Sequence, residues 1–215
     1  MNTKLKLDIV SDISCPWCII GYKALQQALS KLEPEITADI SWQPFELNPD
    51  MPAEGQDIVE HITEKYGISI EQTEQNRAMI VQRGAALDYQ FSRKQDSRIY
   101  NTFDAHRLLH WAKQFGKQTQ LKLAFFDLYF KENGDPSNHQ QLLTVVESVG
   151  LDTQVAREIL ESSQYQQEVR ERQSYYQSQG ISSVPAVIIN DQHLISGGQP
   201  AEVFEQALRE IAEQR

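Results

Sequence analysis

The sequence predicts an α/β fold in which a βαβ unit and a C-terminal β-hairpin with its closing helix are separated by a large all-helical insertion. Three observations carry this. Residues 5–42 read as strand, helix, strand. Residues 51–150 read as helix after helix, with no strand of comparable strength. Residues 185–196 read as a strand, a tight turn and a second strand, followed by an amphipathic helix.

Residues 5–10 alternate briefly and then turn apolar, as a central strand does. Ser11-Asp12-Ile13-Ser14 is a short loop. Beyond Cys15, Trp17, Ile20, Ala24, Ala28 and Leu32 recur near helical spacing, and Pro16 sits near the first helical position, where its missing N–H costs nothing. Glu33-Pro34 ends that helix. Ile36, Ala38, Ile40 and Trp42 alternate with polar residues, which predicts a second strand and a right-handed crossover. Helical periodicity covers 57–66, 70–87, 101–115 and 121–133, punctuated by Gly67, the 90–97 stretch, Gly116 and Asn133-Gly134-Asp135-Pro136. Further helices are expected over 138–149 and 152–179, the latter interrupted near Ser162-Ser163. The strand at 185–190 turns at Asp191-Gln192 into its partner at 193–196. Gly197-Gly198-Gln199 breaks the chain again, and 200–213 reads as an amphipathic helix with Val203, Phe204, Ala207, Leu208 and Ile211 on one face. This element order is that of a thioredoxin-like fold with a helical insert: 1–50 and 151–215 form the two halves of the fold, and 51–150 the insertion.

With 215 residues and 40% hydrophobic content, the chain buries a substantial core without a disulfide or metal staple. A net charge of −10, with Arg93-Lys94 as the longest basic run, argues against a nucleic-acid partner. No segment has the roughly 20 apolar residues of a membrane span. Asp8 and Asp12 interrupt the stretch a signal peptide needs, so the expected location is the cytoplasm.

Both cysteines lie in Cys15-Pro16-Trp17-Cys18. A bridge closing so small a loop constrains the unfolded chain little, so the pair reads as chemical rather than architectural. Thiol–disulfide exchange needs one exposed, partly ionised thiol and a second within reach. Cys15 at a helix N-terminus meets orphan N–H groups and the positive end of the helix dipole, both favouring thiolate. Cys18, one turn later, is placed to resolve a mixed disulfide. Half a zinc site is the alternative for C-x-x-C. It would need His106 and His110, nearly ninety residues downstream in a stretch with Leu108, Leu109 and Trp111 that reads as ordinary helix packing; no metal is expected.

Ser183-Val184-Pro185 opens the strand expected beside the dithiol. A cis Val184–Pro185 bond would turn the Val184 main chain toward an extended substrate, which would bind by strand addition. A trans proline at the start of an edge strand is the other reading.

Cys-Pro-Trp-Cys after a first strand, Gly180-Ile181-Ser182-Ser183-Val184-Pro185 before the third, and a helical insert between them resemble the DsbA-like thioredoxin superfamily. More narrowly, Trp42-Gln43-Pro44-Phe45-Glu46-Leu47-Asn48-Pro49, Asn101-Thr102-Phe103-Asp104-Ala105-His106-Arg107-Leu108-Leu109 and Ile195-Ser196-Gly197-Gly198-Gln199-Pro200 resemble its cytoplasmic FrnE branch. Related members are the glutathione-dependent 2-hydroxychromene-2-carboxylate isomerases and kappa-class glutathione transferases. The resemblance places Cys15 at their catalytic serine and Pro185 at the superfamily's cis-proline. It places Gly198 and Gln199 at a Ser-Asp pair that holds the γ-glutamyl end of glutathione in the kappa class, so that route to glutathione is missing here.

Pro16, Trp17, Val184 and Pro185 are therefore the expected substrate-binding residues, with Trp17 expected to be exposed between the thiols. Asp12 and Glu46 are candidates for tuning the cysteines or moving a proton, although a loop Asp also serves as a cap. Phe45 either lines the floor of the site or packs, and Phe125, Phe126, Tyr129 and Phe130 read as core. The function expected is dithiol–disulfide exchange, as reductase or isomerase, on a protein or small-molecule disulfide. No organic cofactor is bound in this reading; glutathione, as reductant or co-substrate, or a thioredoxin system resets the pair. A glutathione-dependent isomerase or transferase anchored on Cys15, and a peptide-binding or holdase module, are the two rival readings.

Overall fold

The computed structural model describes residues 3–92 and 97–214. Met1-Asn2, residues 93–96 of the 90–97 break (the Arg93-Lys94 pair among them) and Arg215 lie outside them. β1 (Thr3–Ser11) pairs in parallel with β2 (Ile36–Pro44) along its whole length, from Thr3 opposite Ile36 to Ser11 opposite Pro44. α1 (Pro16–Leu32) makes the crossover. On its other side β1 pairs antiparallel with β5 (Ala186–Ile189), Leu7 opposite Ile189 and Val10 opposite Ala186. β6 (His193–Ser196) completes the hairpin, giving the order β2-β1-β5-β6. Three residues, Asn190 to Gln192, join Ile189 to its partner His193; Asn190 and Asp191 hold φ of +52° and +60°, left-handed values that Asn and Asp tolerate best after glycine, and the Gln192 N–H closes the turn on the Ile189 carbonyl at 3.1 Å.

The insertion carries α2 (Ile58–Tyr66), α3 (Ile70–Ala85), α4 (Phe103–Ala112) with a 3-10 turn at Lys113–Phe115, α5 (Gln118–Phe130) and α6 (His139–Ser148). It departs from the all-helical expectation at one place. β3 (Gln56–Asp57) pairs antiparallel with β4 (Arg98–Ile99). Two residues are too few to show a period of two, so the ladder leaves no sequence signal. The Arg98 side chain fixes it by donating to the carbonyls of Glu54 and Gly55, both at 2.9 Å. The 152–179 helix is interrupted where expected: α7 (Thr153–Glu161) ends, Tyr165 takes φ +63°, and α8 (Gln166–Ser178) begins. α9 (Ala201–Glu213) lies against α1 through Phe204, Leu208 and Ile211.

One apolar core runs through sheet and insertion alike: Leu5, Leu7 and Ile9 of β1, Ile19 and Leu25 of α1, and Phe125, Phe126 and Phe130 of α5 are all buried in it. Trp42 joins the layers, its ring 5.0 Å from that of Tyr22 and 6.1 Å from that of Phe126. The free edge of β2 is held by a side chain. The Gln118 amide oxygen accepts the Trp42 N–H at 2.9 Å, and its NH₂ donates to the Trp42 carbonyl at 3.0 Å, as a neighbouring strand would.

Candidate active site

The C-terminal end of β1 delivers the Ser11–Ser14 loop into α1, with Cys15 as the N-cap (φ −91°, ψ 111°) and Pro16 at the first helical position. The Cys15 N–H donates to the Asp12 carbonyl at 3.4 Å and the Cys18 N–H to the Cys15 carbonyl at 3.1 Å, a tight turn that sets both sulfurs at the helix start. Both are free thiols. Cys15 keeps 4% of its surface and Cys18 none, so solvent reaches the pair through Cys15.

The Val184–Pro185 bond is cis, and the Cys15 thiol donates to the Val184 carbonyl at 3.6 Å. Dithiol and proline loop, distant in sequence, thus meet as the sequence implied. Trp17 is half-buried rather than exposed, because the 197–199 loop closes over it. A Cβ on Gly198 would stand 3.1 Å from the Trp17 ring and 3.2 Å from its carbonyl; one on Gly21 would stand 3.3 Å from both Gly198 and the Pro185 ring. Two glycines are needed for loop and helix to approach this closely. Gln199 turns away, its side chain donating to the Ser196 carbonyl at 2.8 Å.

Asp12 is buried with four partners. Thr102 and Ser14 hydroxyls donate at 2.7 and 3.0 Å, the Leu47 N–H donates at 2.8 Å, and His106 Nε2 stands 3.5 Å away. Burial favours the protonated acid, but the hydrogen bond and charge of His106, with Leu47 and Thr102, outweigh it and hold the carboxyl at about 2. His106 also donates to the Phe45 carbonyl at 3.0 Å, and His110 lies against Tyr165 with ring centroids 5.0 Å apart. Packing and polar contacts thus account for both histidines. Phe45 is buried with Val10, Tyr176, Ile181 and Ala186, and Val184 packs on that cluster, so it supports the proline loop from below. Glu46 reaches the other way, to Arg170 and to the Gln173 amide at 2.9 Å, tying the end of β2 to α8.

The thiols titrate as a pair. The hydrogen bond to Cys18, then burial, pushes Cys15 well above the ordinary thiol value. Burial also works against ionising Cys18, but hydrogen bonds from Cys15 and Ser11 and the charge of Lys122 overcome it and lower its pKa. Cys18 thus gives up its proton before Cys15 does, and the pair ionises one sulfur at a time.

Two residues at the site have no motif to announce them. Lys122 is fully buried, its Nζ on the Ser11 carbonyl and its charge acting on Cys18. Its signal is a lysine in the apolar stripe of α5, one turn before Phe126. Tyr66, at the end of α2, is 55% exposed, and burial followed by the nearby Cys15 charge raises its phenol.

Residues 6–209 match the model of the DSBA-like thioredoxin domain family. The solved structure of a probable DsbA oxidoreductase from Streptomyces coelicolor is 31% identical, with TM-score 0.90 over 98% of this chain and 91% of that one. An uncharacterised Bacillus subtilis protein, YwbO, is 28% identical over 203 residues, 94% of each chain. The cytosolic disulfide reductase DsbM of Pseudomonas aeruginosa, solved with GSH, shares the fold at 13% identity (TM-score 0.67 over 97% of this chain and 99% of that one). With nearly its whole length matched, the chain belongs to the DSBA-like thioredoxin domain family.

Proposed function

We propose that this protein catalyses dithiol–disulfide exchange, with Cys15 as nucleophile and Cys18 as resolving thiol. The observation that carries the reading is the Cys15 sulfur at the N-cap of α1, 3.6 Å from the Val184 carbonyl, with Cys18 one turn behind it and closed to solvent. An extended substrate segment pairs with the Val184 main chain and brings its disulfide to Cys15. Cys15 passes its proton to the ionised Cys18 and attacks one substrate sulfur as the thiolate, the S–S bond breaks, and the departing thiolate takes a proton. Cys18 then loses its proton and attacks Cys15, releasing the second substrate thiol and leaving an enzyme disulfide. Two thiols of glutathione, or a thioredoxin-type dithiol, return the electrons.

Reduction or isomerisation in the cytoplasm is the favoured direction, because such a compartment keeps thiols reduced. In support, no helix among the described residues is long and apolar enough to cross a membrane, and the similarly folded DsbM is a cytosolic disulfide reductase. Glutathione acts here as reductant rather than as a ligand held by its γ-glutamyl end, since Gly198 has no side chain and no room for one beside Trp17. The test is reduction of a protein disulfide with glutathione as electron donor. Cys15→Ala should lose all turnover, while Cys18→Ala should accumulate mixed disulfides on Cys15 that non-reducing mass spectrometry detects. Undiminished turnover in the Cys15 variant overturns the assignment.

A further inference from the structure

We propose that Lys122 is the buried counter-charge of the Cys15–Cys18 dithiol and takes up and releases a proton in step with its redox state. The inference rests on the exchange reading only for the identity of the redox pair. Lys122 is 0% exposed, and among the described residues no carboxylate forms an ion pair with it. Its one hydrogen bond runs to the Ser11 carbonyl at 3.4 Å, and the faces of Trp42 and Phe126 lie 5.4 and 5.0 Å from Nζ. Ser11 ends β1 and opens the loop that carries Cys15, its hydroxyl donating to the Asp12 carbonyl at 3.5 Å, so the ammonium is tied to the main chain that leads into the dithiol. The nearby acid, Asp12, is already committed to Thr102, Ser14, Leu47 and His106. Lys122 also lines a small cleft of about 50 Å³ together with His106, His110, Lys113 and Arg172, and no Asp or Glu lines it. The negative charges that act on this buried cation are the thiolate and, next to it, the Asp12 carboxylate, and of the two only the thiolate comes and goes with the redox state.

Burial draws Lys122 down to about 8, against which Cys18, Asp12 and Cys15 pull upward. When two reductant thiols reduce the enzyme disulfide, the S–S bond breaks and the reductant thiols become a disulfide. Of their two protons one stays on the Cys15–Cys18 pair, and the neutral Lys122 amine takes the other, giving thiolate and ammonium together. Oxidation removes the thiolate and with it the hold on that proton, which leaves through the cleft.

The first measurement needs no variant: ¹⁵N NMR of the Lys122 Nζ should show it titrating at lower pH in the oxidised protein than in the reduced one. The second uses Lys122→Met, which keeps the buried volume, and follows thiolate absorbance near 240 nm against pH. The first thiol proton should bind at least tenfold tighter than in the unaltered protein. The equilibrium with glutathione should shift at least tenfold toward the enzyme disulfide, while the denaturant midpoint holds or rises. Identical Nζ titration in both redox states, or an unchanged thiolate titration in Lys122→Met, overturns the proposal. Both readouts need no substrate, so failure of mixed-disulfide trapping with intact titrations would count against the proposed function and not against Lys122.

Discussion

Asp12 stands three residues before Cys15, and from the sequence it is either a turn residue or a tuner of the thiols. The structure gives it a larger task, because it gathers Ser14 of the dithiol loop, Leu47 after β2, and Thr102 and His106 of α4 around one carboxylate. Its folded pKa, about 2, lies below the ordinary 3.8. The stability it contributes is therefore fully present above pH 4 and is lost as the pH falls toward 2. Asp12→Ala should cost about 3–5 kcal/mol at pH 7, since it strands His106 and three donors. It should also flatten the acid limb of a stability–pH curve, as measured by urea titration. Legibility at this scale follows the range of the signal. Cys15, Cys18 and Pro185 were readable because their chemistry is written in contiguous motifs. Lys122 was not, because what sets it beside the thiols is burial created by other elements. Trp17 was misjudged for the same reason, its cover coming from Gly198, about 180 residues away.

Elements are joined here by side chains that finish each other's ends. Arg107 of α4 is almost wholly buried, yet its guanidinium reaches the carbonyls of Ile159, Ser162 and Gln164 (2.6 Å to Ser162, 2.9 Å to Gln164) and Asp104 at 2.7 Å. The last carbonyls of a helix have no partner within it. One residue of α4 thus caps α7 in trans and fixes the turn that sends the chain into α8. The interruption at Ser162-Ser163 could be read from composition, but its cause, an arginine some 55 residues upstream, could not. Arg107→Leu should destabilise by about 3–5 kcal/mol in denaturant unfolding, because several buried carbonyls lose their donor together. Arg107→Lys should recover little, since one ammonium cannot span the set. The β3–β4 ladder repeats the lesson in small, being held by Arg98 rather than by any alternation of its own residues.

At the scale of the whole molecule the α/β order was legible because strand and helix periodicities differ and their sequence is simple. Less legible was how deeply the insertion enters the rest: Phe125, Phe126 and Phe130 share one core with β1 and α1, and α5 supplies both the cation under the sulfurs and the clamp on β2. That clamp bears on how copies of the chain meet one another. An exposed strand edge invites a strand from a second molecule, and proteins usually deter it with charge, proline or an overlying element. Here the deterrent is one amide, which occupies both main-chain groups of Trp42, while Thr119 accepts the indole N–H at 3.0 Å. Gln118→Leu should leave the fold intact at low concentration, at a cost of roughly 1–3 kcal/mol for the stranded groups. In light scattering it should aggregate faster, and with a steeper dependence on concentration, than the unaltered protein. Colloidal solubility, ordinarily a property of the entire surface, would then depend on a single glutamine.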